Sequence, residues 1–297
     1  MDFEIRISDL FTDIICMRSQ PEKAEAFLRL HTNGELLVLP NIWNPIGARI
    51  LAAKGYPAVA TASAALSASL GYVDGERIKR STLVEFLGRI ARSVDVPVTA
   101  DIEAGYGESL ADLKETVRQV IESGIVGVNL EDSLREGGPL RPVADQCQRI
   151  SAARQVADEL GVRLVINARI DCFLSASFRD KAAAMEETVA RAAAYSGAGA
   201  DCSYPIGPGD EETVRALRDR IPYPINILGS PTAASLAVLR RLGVNRVSFG
   251  PYVFRSCLQR FVEIVEGLRD QEDYAGFGKP LSSAEVGQYL RDEDEQL

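Results

Sequence analysis

Acidic side chains stand at the ends of two successive apolar runs, where they could share a cation. Asp101 is the last residue of the run 96–101, and Glu103 follows two residues later. Glu131 is the last residue of the run 126–131. Asp101 and Glu103 are two residues apart, so on a continuing strand both side chains would point to the same side. Gathered carboxylates repel one another unless a cation neutralises them, and oxygen ligands without nearby His or Cys suit Mg²⁺, with Mn²⁺ as the alternative. The three acids therefore predict a metal site, although a helix cap or a surface ion pair would explain any single one.

Groups that suit an anionic ligand accompany these acids. Arg169 follows the run 163–168 and offers a planar guanidinium fork that matches a carboxylate. Gly105 and Gly107 flank Tyr106 just after Glu103, and glycine permits a tight turn and close backbone approach to a ligand. Cation-binding and anion-binding groups therefore occur on three successive segments of the chain.

Short apolar runs alternate with longer amphipathic stretches along the chain. We predict strands at residues 36–40, 57–62, 96–101, 126–131, 163–168, 200–204, 223–228 and 245–249, with helices between them such as 110–123 and 146–160. Runs such as 96–100 are typical of strands buried on both faces of a parallel sheet. Eight strand–helix units predict an α/β protein that folds as a (β/α)8 TIM barrel, with an open doubly wound sheet as the alternative. The active site of such a barrel lies at the C-terminal ends of the strands, where Asp101, Glu131 and Arg169 stand.

No low-complexity linker interrupts the array, so the barrel is predicted as a single domain. We assign it residues 34–269, with an N-terminal helical extension at residues 1–33 and a polar C-terminal segment at residues 270–297. A chain of 297 residues buries roughly 75% of its unfolded surface, so its core needs neither disulfides nor a partner.

Charge and composition exclude several classes of protein. The net charge of −9 argues against a nucleic-acid partner, which would require a basic surface. His31 is the only histidine, and the five cysteines are scattered without a CxxC pair. Zinc sites, Ser-His-Asp triads and Cys-His dyads are therefore excluded, and the cysteines are expected as buried thiols in a reducing compartment. The chain carries neither a signal-peptide pattern nor a membrane-length apolar segment, which predicts a cytoplasmic protein without a membrane partner.

Four motifs, in order along the chain, resemble the isocitrate lyase/phosphoenolpyruvate mutase superfamily and in particular its small phosphonomutase-like branch. They are Ala-Ser-Leu-Gly-Tyr-Val-Asp-Gly (68–75), Asp-Ile-Glu-Ala-Gly-Tyr-Gly (101–107), Asn-Leu-Glu-Asp-Ser (129–133) and Asn-Ala-Arg-Ile-Asp (167–171). The resemblance extends from about residue 36 to residue 258 and agrees with the predicted barrel.

The resemblance implies a role for each matching position. Asp101, Glu103 and Glu131 match metal-ligand positions, some of which act through water. Asp74 and Arg169 match catalytic positions, because the aspartate lies against the reacting part of the substrate and the arginine binds its carboxylate. The full set of expected substrate-binding residues, to which Trp43 and Asn226 are added from their places near strand ends, is Trp43, Ala62, Ser63, Ala64, Asp74, Arg169 and Asn226. A rim or core aromatic is an equally good interpretation of Trp43.

The chain departs from the family pattern in the loop after the fourth predicted strand. Isocitrate and methylisocitrate lyases carry a Lys-Lys/Arg-Cys-Gly-His segment there, whose cysteine is the general acid, whereas residues 133–141 read Ser-Leu-Arg-Glu-Gly-Gly-Pro-Leu-Arg. Glu103 replaces an Asp that many members have. We expect the loop to act as a lid or, alternatively, to be an ordinary surface loop, with these residues as its candidates: Arg135, Gly137, Gly138 and Arg141.

These observations predict a Mg²⁺-dependent lyase or hydrolase that cleaves a C–C bond of a small α-oxo (di)carboxylate through a metal-stabilised enolate, as an oxaloacetate decarboxylase does. The alternatives are C–P chemistry, as in phosphonopyruvate hydrolase or phosphoenolpyruvate mutase, and an oxo-acid-binding protein without turnover. The resemblance further implies a homo-oligomer, a dimer or a tetramer, in which subunits exchange the eighth helix at residues 251–268. An eighth helix packed on its own barrel would have the same sequence pattern.

Overall fold

The computed structural model describes residues 19–134, 138–270 and 274–290, in which helices alternate with short parallel strands. The strands are β1 (Leu37–Leu39), β2 (Asn41–Ile42), β3 (Val59–Thr61), β4 (Val98–Asp101), β5 (Gly127–Glu131), β6 (Val165–Ile170), β7 (Cys202–Pro205), β8 (Asn226–Leu228) and β9 (Arg246–Ser248). The helices are α1 (Gln20–Thr32), α2 (Pro45–Ala53), α3 (Ser63–Ser69), α4 (Arg80–Ala91), α5 (Leu110–Glu122), α6 (Val143–Glu159), α7 (Lys181–Gly197), α8 (Glu211–Arg220), α9 (Leu236–Arg241), α10 (Tyr252–Asp270) and α11 (Ser283–Leu290), with a 3₁₀ turn at Ala275–Phe277.

The strands form two parallel sheets that meet at two places. One sheet has the order β2-β3-β4-β5-β6-β7 and the other the order β1-β9-β8. Only Pro40 separates β1 from β2, so these two short strands occupy one position, and a bridge joins Ser203 of β7 to Ile225 before β8. Neighbouring strands follow one another in sequence, whereas a doubly wound sheet would reverse its order at a switch point. The predicted α/β class and (β/α)8 TIM-barrel architecture are confirmed, although the regular ladder is interrupted at these two places.

A side chain replaces the missing ladder at the first interruption. Proline has no backbone N–H to donate, and next to Pro40 the amide of Asn41 bonds to both flanking strands. Asn41 Oδ1 accepts from the backbone N–H of Phe249 (2.7 Å) and Gly250 (2.9 Å), and its Nδ2 donates to Thr61 O at 2.6 Å. The ends of β9 and β3 are thereby held together at the edge where Asp101 also stands.

Helix α1 closes the opposite end of the barrel, where the strands begin. Its Phe27 is fully buried, and a Cβ added to Gly127 would lie 2.6 Å from the Phe27 ring. His31 O accepts from Asn245 Nδ2 just before β9, and burial together with the nearby Arg246 charge lowers the pKa of His31 to about 4. His31 is therefore a neutral structural residue. The rest of the predicted N-terminal extension, residues 1–18, lies outside the described residues.

Helix α10, which follows the last barrel strand and is the eighth helix of the barrel, leaves most of its larger apolar side chains exposed. Phe254 is its one buried residue, while a stripe of larger apolar side chains is exposed to solvent: Leu258, Phe261, Val262, Val265 and Leu268. In the segment that follows, α11 packs against α2. In the part of the chain that the structure describes, none of the helices has the length and apolarity needed to span a membrane.

Replacing Phe27 tests whether α1 is part of the barrel core. We expect Phe27→Ala to lower the free energy of unfolding by about 3–5 kcal/mol, because it removes a fully buried ring from a packed position. Urea titration followed by circular dichroism measures this change. Phe277→Ala is the matched control, because Phe277 is 46% exposed and its loss should cost under about 1 kcal/mol. Equal effects of the two substitutions would contradict this role of α1.

Candidate active site

A cavity of about 450 Å³ opens at the C-terminal ends of the strands. Most of the residues predicted from the sequence line it: Ala62, Ser63, Ala64, Asp74, Asp101, Glu103, Glu131, Arg141 and Arg169. The strand ends that carry them converge because β3 to β6 are parallel and in register. The predicted gathering of carboxylates and a guanidinium at one barrel mouth is therefore observed.

Asp101, the last residue of β4, is bonded to the chain segment that follows β3. Asp101 Oδ2 accepts from the backbone N–H of Ser63 at 3.2 Å and from its hydroxyl at 3.0 Å. Asp101 Oδ1 accepts from Glu103 N at the long distance of 3.3 Å. In this structure Ser63, expected to cradle a substrate, supports Asp101, and one oxygen of Asp101 is left with a single weak bond.

Glu103 holds the loop of residues 71–77, which we call the Asp74 loop, through the backbone. Glu103 Oε2 accepts from Gly75 N at 2.8 Å and from Glu76 N at 2.6 Å, and Glu103 Oε1 accepts from the Tyr106 hydroxyl at 3.1 Å. Tyr106 N in turn donates to Glu76 Oε1 at 2.7 Å. Asp74 thus borders the cavity on a loop that is tied to the segment after β4.

Arg169 is braced between two acids. Its Nη1 lies 2.7 Å from Glu131 Oε2, and its Nε and Nη2 donate to the two oxygens of Asp171 at 2.7 and 2.8 Å. Two of the five guanidinium N–H groups donate to Asp171, and the ion pair with Glu131 holds Nη1 in place. Its other N–H groups could donate to a carboxylate, and the orientation of the side chain is already fixed.

The cavity carries more negative than positive charge, which perturbs its acids. Burial and the charge of Asp101 raise the pKa of Asp74 to about 6. Burial and the charges of Asp74 and Asp101 raise the pKa of Glu103 to about 8. Burial also raises the pKa of Glu131, against the opposing effect of its Arg169 partner. Acids with raised pKa values in a cleft are typical of functional sites.

Two predicted substrate-binding residues do not line this cavity. Trp43 is half-buried and packs edge-on against Phe254, with ring centroids 4.9 Å apart. Asn226 was expected at a strand end, but it begins β8, is fully buried and donates to Ser248 Oγ at 3.0 Å. Because β8 ends two residues later, Leu228 takes the position at the cavity instead.

The predicted lid is only partly described. Arg135 and Gly137 lie outside the described residues, and Gly138 O accepts from the Ser175 hydroxyl at 2.9 Å. Arg141 is 8% exposed, and its backbone N–H donates to Asp132 O at 2.7 Å. Arg141 is thus fixed at the base of the loop, where it borders the cavity, and does not lie on a free hinge. Movement of the rest of the loop stays a prediction.

Several lining residues were missed by the sequence reasoning. Tyr204 is the second-last residue of β7, is 4% exposed and has a pKa raised to about 12 by burial. Asn129 and Ser248 form part of the floor, and Asn129 Oδ1 accepts from the fully buried Arg246 at 3.3 Å. Tyr204 could have been found, because it stands at the end of a predicted strand just as Asp101 does.

The donor set fits a hard cation held with water. Within the three described ranges, no three Asp, Glu, His or Cys side chains are close enough together to enclose an ion by themselves. Mg²⁺ is usually bound by one or two carboxylates and keeps several waters, with substrate completing its shell. Asp101, with its weakly bonded Oδ1, is the best-placed ligand, and Glu103 and Glu131 supply further negative charge nearby.

Comparisons with known proteins show which family and fold this chain resembles. The family described as phosphoenolpyruvate phosphomutase matches residues 27–269. The oxaloacetate decarboxylase of Pseudomonas putida (strain GB-1) is 28% identical over 281 residues, covering 91% of this chain and 92% of that protein. A "putative phosphonomutase" from Burkholderia cenocepacia J2315 is 39% identical with a TM-score of 0.78, covering 84% of this chain and 99% of that one. A phosphonopyruvate hydrolase in complex with oxalate and Mg²⁺ shares the fold, with a TM-score of 0.78, 23% identity, and coverage of 92% of this chain and 96% of that one.

The raised pKa of Glu103 predicts how stability depends on pH without metal. The pKa of the Glu103 carboxyl is about 8 in the folded protein, against 4.5 for an ordinary Glu. Between these two pH values the folded protein therefore binds more protons than the unfolded chain does. Stability contributed by this group is therefore complete below pH 4.5 and is lost as the pH rises towards 8. Between pH 5 and pH 8 we expect the free energy of unfolding of the wild type to fall by about 2 kcal/mol or more relative to that of Glu103→Gln. Urea titrations in EDTA measure this difference, and parallel pH profiles of the two proteins would contradict it.

Proposed function

The chain belongs to the phosphoenolpyruvate phosphomutase family, and on that premise we propose that its cavity binds Mg²⁺ and a small α-oxo acid and cleaves a C–C bond of that acid. Oxaloacetate is the substrate we favour, with pyruvate and CO₂ as products. The observation that carries the proposal is the composition of the cavity, which is lined by Arg169 and by the carboxylates of Asp74, Asp101, Glu103 and Glu131. The loop at residues 133–141 offers no cysteine or histidine acid.

Decarboxylation suits this composition because breaking the bond requires no general acid. Loss of CO₂ from oxaloacetate leaves the bonding electron pair on the remaining fragment as an enolate, which afterwards takes one proton on carbon to become pyruvate. When bound, a Mg²⁺ ion would act as a Lewis acid that stabilises negative charge on the oxygen of the oxo group. Asp101 is the proposed direct ligand, with Glu131 and Glu103 contributing through water and charge.

Arg169 and Asp74 have distinct proposed roles. The unengaged N–H groups of Arg169 bind the carboxylate next to the oxo group, in an orientation set beforehand by Glu131 and Asp171. Asp74 delivers the proton to the enolate carbon, because a carboxyl with a pKa of about 6 is protonated in a useful fraction of molecules near neutral pH. Tyr204 and Leu228 border the cavity and help to exclude water from the enolate.

C–P bond cleavage is the second candidate, and the similarity to the Burkholderia cenocepacia structure favours it. The same cavity would hold the oxo acid of phosphonopyruvate in the same way, so the two candidates differ in the group that leaves. Oxo-acid binding without turnover is the third outcome, because an absent lyase cysteine is also what a binding protein would show.

A substrate panel decides among these candidates. We expect the protein with Mg²⁺ to convert oxaloacetate to pyruvate faster than it converts phosphonopyruvate or 2-methylisocitrate, as measured by NMR of the products. Asp74→Asn should lower kcat by about 100-fold or more, the size of a general acid–base contribution, and leave Mg²⁺-dependent oxalate binding within about threefold. Preferred turnover of phosphonopyruvate would establish the second candidate. Oxalate binding by calorimetry without turnover of any compound would establish the third, and turnover of 2-methylisocitrate would contradict the proposal.

We further propose that subunits associate by exchanging α10. The apolar face of this helix is exposed, with Phe261 at 61% and Val265 at 40%. A groove of about 390 Å³ on the barrel beside the start of α10 is lined by apolar side chains that include Leu236, Leu239 and Val253. The exposed apolar face of α10 and the apolar groove on the same chain are complementary. The α10 helix of a second copy would bury both surfaces.

Charged substitutions on α10 test this association. We expect wild type to be a dimer or a tetramer by light scattering, and the double substitution Phe261→Asp with Val265→Asp to shift it to a smaller species. Glu263→Gln lies on the same helix and keeps the apolar face, so it should leave the mass unchanged. A monomeric wild type would rule out the exchange.

A further inference from the structure

We propose that Glu103 is a positioning residue that sets the place of Asp74 by holding the backbone of the Asp74 loop, and that it is not a direct ligand of the ion. The inference rests on the proposed function, because it concerns the placement of the proposed proton donor. It assigns Glu103 a different task from Asp101, although both belong to the same acidic motif.

The hydrogen bonds of Glu103 show where its carboxylate is committed. One oxygen accepts from two successive backbone N–H groups, those of Gly75 and Glu76, at 2.8 and 2.6 Å. The other accepts from the Tyr106 hydroxyl at 3.1 Å. With 4% exposure the side chain has little solvent to exchange with, so direct binding of an ion would require these bonds to be given up.

Backbone conformation around Glu103 is specialised for this arrangement. We call the hydrogen bonds that join Glu103 and Tyr106 to the Asp74 loop the latch. Three non-glycine residues have positive φ angles in the described ranges, and all three take part in the latch: Glu76 (57°), Glu103 (51°) and Tyr106 (57°). Such conformations are uncommon for residues with a Cβ and persist only where the surroundings enforce them, often at ligand clamps. The strain is therefore concentrated at the contact between the Asp74 loop and the segment after β4.

Arg149 of α6 supplies that enforcement from outside the cavity. Its guanidinium donates to three backbone carbonyls of the segment after β4, those of Ala104 (2.5 Å), Gly107 (3.0 Å) and Glu108 (3.1 Å). Arg149 is 2% exposed and takes no part in the cavity lining. The order of support therefore runs from Arg149 to the segment 104–108, then to Glu103 and Tyr106, and finally to Asp74.

The length of the side chain distinguishes a latch from a ligand. Aspartate at position 103 would keep the charge but withdraw the carboxylate by about 1.5 Å, one C–C bond, beyond the reach of the Gly75 and Glu76 amides. Glutamine would keep the reach and one acceptor oxygen but lose the charge. A latch therefore tolerates Glu103→Gln better than Glu103→Asp, whereas a direct Mg²⁺ ligand tolerates Glu103→Asp better.

Hydrogen exchange of the metal-free protein tests the latch without substrate. We expect Glu103→Asp to raise the exchange rate of peptides covering residues 71–77 by at least tenfold, and Glu103→Gln to leave it within about threefold of wild type. Tyr106→Phe, which removes one hydroxyl contact and no charge, should raise it by an intermediate factor. Ser109→Ala, which removes only the cap of α5, is the matched control and should leave it unchanged.

Calorimetry of Mg²⁺ binding and measurement of kcat distinguish a positioning residue from a direct ligand. We expect Mg²⁺ to bind Glu103→Asp within about threefold of wild type while kcat falls at least tenfold. Glu103→Gln should retain the higher kcat of the two variants. A loss of Mg²⁺ affinity of a hundredfold in Glu103→Gln, with unchanged exchange of residues 71–77 in Glu103→Asp and Tyr106→Phe, would overturn the inference. An inactive wild type would count against the proposed function alone, because the exchange measurement requires neither ion nor turnover.

Discussion

Repulsion among like charges at the barrel mouth is the constraint on which the rest of the site depends. Parallel strands bring Asp101 and Glu131 to one edge, and the neighbouring loops add Asp74 and Glu103, with Arg169 as the cation paired to Glu131. Each acid is stabilised by a different device: hydroxyl and backbone N–H groups for Asp101, paired amides for Glu103, and a guanidinium for Glu131. Together these devices fix the acids and leave a surplus of negative charge that a divalent cation would neutralise.

The barrel architecture and most of the residues that line the cavity could be predicted from the sequence, because both follow from short-range patterns. Apolar runs separated by amphipathic stretches specify a parallel barrel, and in a barrel every strand ends at the same mouth. Asp101, Glu131 and Arg169 therefore had to meet once their strands were recognised. The resemblance added Asp74, which stands on a loop between helices and has no strand periodicity to reveal it.

The tasks of individual side chains could not be predicted, because they depend on contacts between segments far apart in sequence. Asn226 stands two residues before the end of its strand, which is enough to place it in the interior instead of at the mouth. Glu103 is two residues after Asp101, but its positive φ turns its carboxylate towards the Asp74 loop. That conformation is enforced by Arg149, which lies more than forty residues further along the chain, so no local pattern could indicate it.

A crystal structure with Mg²⁺ and oxalate would test the central claim most directly, since oxalate resembles the enolate of an α-oxo acid. We predict an ion that contacts Asp101 and oxalate, an oxalate carboxylate on the free N–H groups of Arg169, and Glu103 still accepting from the Gly75 and Glu76 amides. Oxalate bound away from Arg169, or a site without an ion at saturating Mg²⁺, would contradict the account.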